Sequence, residues 1–386
     1  RVDRESRRES ALSLPLIADA VAVAELWGPA AAAGGRDRVA TRLLHGDFTR
    51  PPQPVDVRLT LVTDAWLPQV NGVTTTLSRC RDLLETWGHP VTVISPDRFR
   101  TVPCPRYPHI RLALWPAGVG RLLDDSRPDA VHIATEGPLG LAARHACVRR
   151  GWPFTSAFHT RFPEYLRAYA LVPPRVSYRV LRWFHGGATR TLVPTRSMGE
   201  ELEAHGFRPP VTWIRGVDTD LFRPCDEPFY GLPEPVFLYA GRVAVEKNLA
   251  AFLDLDLPGS KVVVGDGPAR ASLEKAHPGI HWAGFRFGEE LARHYAGADV
   301  FVFPSRTDTF GVVMLEANAC GLPVAAFPVT GPRDVVAEGR TGALDEDLRD
   351  ACLRALEIDP AGCRAYAVEH SWERCARMLL DNLAPF

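Results

Sequence analysis

The chain lacks any run of eighteen apolar residues, which excludes an ordinary membrane-spanning helix. It lacks a C-x-x-C pair and any Cys/His cluster at zinc spacing. Its eight cysteines are scattered and read as reduced packing residues of a cytosolic protein. It lacks an excess of either charge: the formal net charge of −1 exerts no overall pull toward nucleic acid or an anionic membrane, so no nucleic-acid partner is expected. It also lacks a G-x-G-x-x-G turn after its first strand, which sets a nicotinamide-dinucleotide enzyme aside.

What is there is an ordinary soluble composition, 46% apolar and 24% charged, in 386 residues, a comfortable length for two domains. Residues 1–55 are rich in Arg, Ala and Pro and end on Pro51, Pro52 and Pro54; they read as a poorly ordered extension and linker. The stretch Ala11–Ala33 imitates a secretory signal, but Asp19, Glu25 and two prolines interrupt it. From Val57 the pattern changes to short apolar strands separated by helices. Strands are expected at Val57–Thr63, Val91–Ser95, Ile110–Leu114, Ala130–Ala134, Phe154–Phe158, Thr191–Pro194 and Val211–Ile214. The alternation restarts after Pro224, with strands at Val236–Ala240, Lys261–Val264, Ile280–Ala283, Val300–Pro304 and Val324–Phe327. Such alternation predicts parallel sheets covered on both faces. The expected organisation is an N-terminal Rossmann-like domain over 56–218, joined by a C-terminal helix over 371–384, and a second Rossmann-like domain over 225–370. The strand C-termini of the two then face one cleft, where ligands of open α/β sheets bind.

Four segments at that edge carry chemistry. In D-A-W-L-P-Q-V-N-G-V-T, Gly72 lets backbone approach a ligand while the following helix offers free N–H groups to an anion; the alternative is an ordinary capped turn. Gly241, Arg242 and Lys247 follow the strand V-F-L-Y-A, and two cations there can balance the charge that grows on a leaving diphosphate. Asp308 precedes a helix that opens near Phe310-Gly311, whose amides at Phe310, Gly311 and Val312 can hold a phosphate. Glu316, on its second turn among apolar neighbours, can accept both hydroxyls of a ribose diol, and Asp308 can reach hydroxyls of a sugar. His159 closes the strand F-T-S-A-F; it is either a structural histidine or a group beside a reacting centre.

Together these segments resemble the retaining family 4 glycosyltransferases of the GT-B fold, over about Val57 to Asn382. The motifs that carry the resemblance are the acid–x7–acid element Asp308–Glu316 with its F-G turn, G-R-x4-K at Gly241–Lys247 and P-Q-V-N-G-V-T. R-G-V-D at Arg215–Asp218 and G-D-G-P at Gly265–Pro268 complete the set. The resemblance implies transfer of a hexose from a nucleotide-diphosphate sugar, a UDP-sugar or GDP-mannose, to an acceptor hydroxyl with retention at the anomeric carbon. It implies Gly72 near the diphosphate and acceptor, Arg242 and Lys247 on the diphosphate, Glu316 on the ribose, Asp308 on the sugar and His159 on its reacting side. One departure is that the first acid of the family element is usually Glu, and here it is Asp308.

Neither a metal nor another cofactor is expected, because cations and helix amides stand where a metal would. Asp254-Leu255-Asp256 spells the D-x-D of a different transferase fold but falls near a helix end and reads as structural. The acceptor is expected against the first domain, with Arg161 and Tyr165 as contacts. Arg175–Arg190 is either a basic face touching anionic lipid or a core helix with solvated arginines. The resemblance leans toward bacterial enzymes that glycosylate lipids such as diacylglycerol, peripheral on the inner face of the cytoplasmic membrane, and toward mannosyltransferases. A sugar-nucleotide epimerase of the same fold and a non-catalytic sugar-nucleotide-binding subunit are the alternatives.

Overall fold

The computed structural model describes residues 56–69, 71–103, 111–114, 116–159, 173–225 and 229–386. Two six-stranded sheets dominate it. The first contains β1 (Leu59–Val62), β2 (Val91–Ile94), β5 (Ala130–Ile133), β6 (Thr155–Ala157), β7 (Arg190–Val193) and β8 (Val211–Thr212), in the order β2-β1-β5-β6-β7-β8. The second contains β9 (Val236–Ala240), β10 (Ser260–Val264), β11 (His281–Gly284), β12 (Val300–Phe303), β13 (Val324–Ala326) and β14 (Gly342–Leu344), in the order β11-β10-β9-β12-β13-β14. Every pairing within both sheets is parallel. Each is thus a doubly wound α/β unit, and two such units facing one another make the GT-B arrangement.

The reason for this fold is visible in single strands. All five residues of β9, V-F-L-Y-A, are buried, as a central parallel strand with helices on both faces requires. Helix Gly72–Thr86 is set by Asn71, whose side chain accepts from the Thr74 amide. It buries Leu77, Cys80 and Leu84 at helical spacing. Against that face lies the last helix, Trp372–Asn382, burying Cys375, Ala376 and Leu379 in the same core as Leu59 and Leu61 of β1. The chain therefore ends on the first sheet after building the second.

Two expectations needed correction. The strand expected at Ile110–Leu114 does not join a main sheet. Residues Arg111–Ala113 form β4, which pairs antiparallel with β3 (Thr101–Pro103) as a separate two-stranded ribbon. β14 was not anticipated: it is three residues long and opens on Gly342, where a Cβ would lie 2.2 Å from the Val324 carbonyl oxygen. A strand chosen for close backbone approach carries no hydrophobic alternation to read.

The two halves touch at several points. Gly216 lies so close to the last helix that a Cβ would stand 2.5 Å from the Trp372 backbone, and the Val217 amide donates to the His370 carbonyl at 2.9 Å. Asp334, from the second half, accepts from the Ser197 amide at 3.0 Å and from the Ser197 hydroxyl. Thr309 Oγ1 donates to the His159 carbonyl at 2.8 Å. A small cavity between the halves is lined by Pro194, Thr212 and Ile214 on one side and Phe310, Leu315 and Val335 on the other.

Candidate functional site

In the second sheet the strand order reverses between β9 and β12, so the loops leaving these two strands diverge and open a crevice. Gly241, Arg242 and Lys247 leave β9; Asp308 leaves β12. Across the crevice Lys247 Nζ meets Asp308 Oδ1 at 2.5 Å, both side chains mostly buried. Asp308 Oδ2 is buried and has no hydrogen-bond partner among the described residues. A buried carboxylate oxygen without a donor costs free energy that a hydroxyl of a ligand recovers. Arg242 pairs with Glu246 at 2.5 Å while its side chain stays about a third exposed, with its carbonyl fixed by the Tyr239 hydroxyl at 2.9 Å.

The glycines here are explained by backbone contact. A Cβ on Gly265 would lie 1.9 Å from the Gly241 carbonyl oxygen, and one on Gly267 2.3 Å from that of Val243. The G-D-G-P turn thus packs directly on the G-R loop and holds its shape, with the Val243 amide donating to the Asp266 carbonyl at 2.9 Å.

Helix Val312–Ala319 begins after Gly311, which takes the left-handed conformation at φ 85°. No side chain caps this helix, and the Met314 amide in its first turn donates to the Gly311 carbonyl at 3.0 Å. Phe310 is buried in the core and anchors the turn. Glu316 sits partly buried one turn on, with a single described partner, the Tyr295 hydroxyl donating to Oε2 at 3.0 Å. Burial pushes its carboxyl up to about 7, against the opposing Tyr295 bond. If a ligand diol donates two hydroxyls to Glu316, the charged form is favoured, and binding is then expected to release a proton near neutrality. Nucleotide affinity should then rise up to about tenfold per pH unit from pH 6 to 7 and level off above. Calorimetric titration of GDP across pH 6–8 in buffers of different ionisation enthalpy checks this; a flat profile refutes it.

On the first sheet His159 follows β6, its side chain 8% exposed. Its Nδ1 lies 2.9 Å from Arg215 Nη2, and its Nε2 has no partner among the described residues. Burial, then the neighbouring Arg215, holds its pKa well below the usual histidine range, so the ring is neutral. The Thr309–His159 contact sets His159 beside the Asp308 loop. Gly72 opens its helix at the exposed rim, and a Cβ there would meet nothing within 4 Å. Neither a close contact nor a left-handed backbone angle therefore calls for glycine at this position. The proposed acceptor contacts Arg161 and Tyr165 lie outside the described residues.

The structure thus brings His159, Arg242, Lys247, Asp308, Gly311 and Glu316 to facing sheet edges. It leaves Asp254 and Asp256 elsewhere: they lie between a helix end and the start of β10, at the opposite edge of the sheet, where Asp254 faces His277 at 3.5 Å. Among the described residues no group of three His, Cys, Asp or Glu side chains could hold a metal ion. In helix Pro174–Gly186 Tyr178, Leu181 and Phe184 are buried, while Arg175, Val176, Arg179 and Arg182 are among its exposed residues.

Sequence reasoning missed a buried polar layer on the first sheet. Asp64 accepts from the Leu139 amide at 2.9 Å, the Gly140 amide at 3.3 Å and the Thr135 hydroxyl at 2.8 Å. Its carboxylate fills the N-terminus of helix Pro138–Arg150 at the first sheet's own crossover, so that helix offers no anion site. Burial nonetheless pushes its carboxyl up to about 6. Asp64→Ala strips three donors of their acceptor and is expected to lower unfolding free energy by about 1–2 kcal/mol, read by urea denaturation. Glu136, His185 and Ser156 form a second buried chain, with His185 Nε2 3.1 Å from Glu136 and its Nδ1 2.9 Å from Ser156. The one legible signal was an acid directly after a buried strand, as at Asp64.

Comparison with known proteins agrees with this geometry. Residues 70–221 match the family model described as Glycosyltransferase Family 4, and residues 234–357 that described as Glycosyl transferases group 1. A GDP-mannose-dependent alpha-mannosyltransferase of Mycobacterium tuberculosis is 34% identical over 317 residues, covering 75% of this chain and 83% of the relative. An alpha-monoglucosyldiacylglycerol synthase of Streptococcus pneumoniae is 25% identical over 351 residues, 79% of each chain. Among solved structures, a sucrose-phosphate synthase from Thermosynechococcus elongatus superposes with a TM-score of 0.67 at 20% identity, over 84% of this chain and 98% of that one.

Proposed function

Because the chain belongs to the family 4 glycosyltransferases and is a retaining, nucleotide-sugar-dependent hexosyltransferase, we propose that its donor is GDP-mannose and its acceptor a hydroxyl of a membrane lipid. The donor reading rests on the mannosyltransferase relative, and the lipid reading on the diacylglycerol-glucosylating one. The observation that carries the site assignment is that each half holds a buried polar atom without a partner among the described residues, Asp308 Oδ2, an acceptor, and His159 Nε2, on segments joined by the Thr309–His159 hydrogen bond. Sugar hydroxyls complement both.

In this reading residues 56–218 and the last helix form the acceptor side, and 225–370 the donor side. Arg242, Lys247 and the amides at the start of helix Val312–Ala319 take the diphosphate, and Glu316 accepts the ribose diol. Asp308 and His159 hold the mannosyl ring. As the anomeric bond breaks, negative charge grows on the bridging oxygen, and Lys247 and Arg242 stabilise it there. The leaving phosphate accepts the proton of the acceptor hydroxyl, which attacks from the same face. Side-chain cations do here what a divalent ion does in other transferases, so activity in excess EDTA is expected. No helix among the described residues is long and apolar enough to cross a membrane. Peripheral contact through Arg175, Arg179 and Arg182 fits a lipid acceptor.

The test is incubation with radiolabelled GDP-mannose, EDTA and vesicles carrying diacylglycerol, followed by solvent extraction. Label in the organic phase supports both readings. Transfer from UDP-glucose but not GDP-mannose overturns the donor assignment, and label confined to water-soluble products overturns the lipid acceptor.

A further inference from the structure

Arg215 is an unusual residue in its place. It belongs to the R-G-V-D segment joining the two sheets and is 4% exposed. Its guanidinium donates to the Trp213 carbonyl at 2.5 Å and the Ile214 carbonyl at 3.3 Å, and lies 4.6 Å over the Trp213 ring. Among the described residues no carboxylate pairs with it. A buried cation without a counter-ion is costly, and an apolar side chain would fill this site more cheaply. What Arg215 does make is one contact toward the cleft: Nη2 stands 2.9 Å from His159 Nδ1.

A guanidinium has donors only, so the Nδ1 it meets must carry the lone pair, and the single ring proton must sit on Nε2. We propose that Arg215 is a positioning residue that fixes His159 as the Nε2–H tautomer and aims that N–H at the sugar bound between the halves. This rests on the transferase reading, which supplies the sugar. Three features support it. His159 Nε2 is buried and without a partner among the described residues, a cost that an acceptor on the ligand removes. The other histidines around the ring are engaged elsewhere, His132 with Thr155 at 2.8 Å and His185 with Ser156 at 2.9 Å, so neither dictates the tautomer. Finally, Arg215 is held in register by its own segment, because Gly216 and Val217 are clamped against the start of the last helix. The joint between the halves thereby sets the ring, while Thr309 of the second half holds the same residue's carbonyl.

The experiment is a long-range proton–nitrogen NMR spectrum of the donor-free protein with 15N-labelled histidine, His159 being assigned by its loss in His159→Phe. The expected spectrum shows one Nε2–H tautomer for His159 throughout pH 6–8. In Arg215→Met that signature gives way to the Nδ1–H form or a mixture. There kcat for mannosyl transfer falls roughly ten- to a hundredfold, as when a group that orients a reacting side chain is removed, while donor KM changes less than about threefold. Arg215→Lys, which still donates, keeps the tautomer and most of kcat. An Nδ1–H tautomer in the unmodified protein, or Arg215→Met with tautomer and kcat both unchanged, overturns the proposal. Should Arg215→Met fail to fold, Arg215→Gln takes its place: its amide accepts from Nδ1–H as readily as it donates to Nδ1, so the single tautomer is expected to give way to a mixture there while donor-only Arg215→Lys keeps it, and an unchanged tautomer and kcat in Arg215→Gln overturn the proposal. The spectrum needs no turnover. Absence of transfer from any donor would sink the transferase reading and leave the tautomer assignment to be decided separately.

Discussion

Lys247→Met is expected to lower kcat/KM for the nucleotide-sugar donor by about a thousandfold, the upper end of what one electrostatic donor to a developing oxyanion supplies. Two effects add. The substitution removes a cation from the crevice, and it releases the Asp308 carboxylate from its 2.5 Å partner to repel the diphosphate. The second effect is separable. In Lys247→Met/Asp308→Asn the unpaired buried charge is gone, so thermal stability should return close to that of the unmodified protein while transfer stays low. A double-mutant cycle on stability and on kcat/KM then gives two different coupling energies. If Lys247→Met costs less than about tenfold in kcat/KM, with the protein folded, the residue serves only to hold the loop.

Glu316→Gln should weaken donor binding by about a hundredfold and stabilise the protein at the same time. A carboxylate accepts both hydroxyls of a diol in charge-assisted bonds of about 1.5–3 kcal/mol each, whereas an amide offers a single acceptor. The stability gain follows from linkage. The folded carboxyl titrates at about 7, above the ordinary glutamate value of 4.5, so the folded state holds its proton longer than the unfolded chain does. Stability from this group is therefore full below pH 4.5 and is lost as pH rises through 7. The cost at pH 8 is at most about 3 kcal/mol, and partial exposure of the side chain reduces it. Glutamine titrates nowhere in this range, so its advantage should be absent at pH 4.5 and grow toward pH 8. Urea denaturation at both pH values, beside donor titration at pH 8, reads both effects. A variant less stable than its parent at pH 8, or one with unchanged donor affinity, removes Glu316 from the ribose site.

These two residues also show how far a linear reading reaches. Lys247 and Glu316 were legible because each stands at a fixed offset from a buried parallel strand: such strands announce themselves as short apolar runs, and their C-terminal loops share one edge. The same logic pointed to Gly241, Arg242, Asp308 and His159; the D-x-D pair, set aside for lying near a helix end, stands before β10, at the other edge of the sheet. The resemblance to a known family added roles that periodicity could not supply.

The amino-acid order by itself determined two doubly wound halves, the edge at which their ligand-bearing loops gather, and the chemical kinds of side chain found there. Those are local properties, written in strand length, glycine placement and the step from apolar run to polar loop. Only the tertiary structure decided how the groups are paired: Lys247 with Asp308 across a reversal of strand order, Asp64 with the amides of a helix beginning seventy-four residues later at Pro138, Arg215 with His159. It also decided which atoms are left without partners. Those pairings depend on strand order and on how one half meets the other, so they join positions far apart in the chain. Burial then shifts proton affinity at Glu316, Asp64 and His159, and burial is a property of the packed fold rather than of any stretch of sequence.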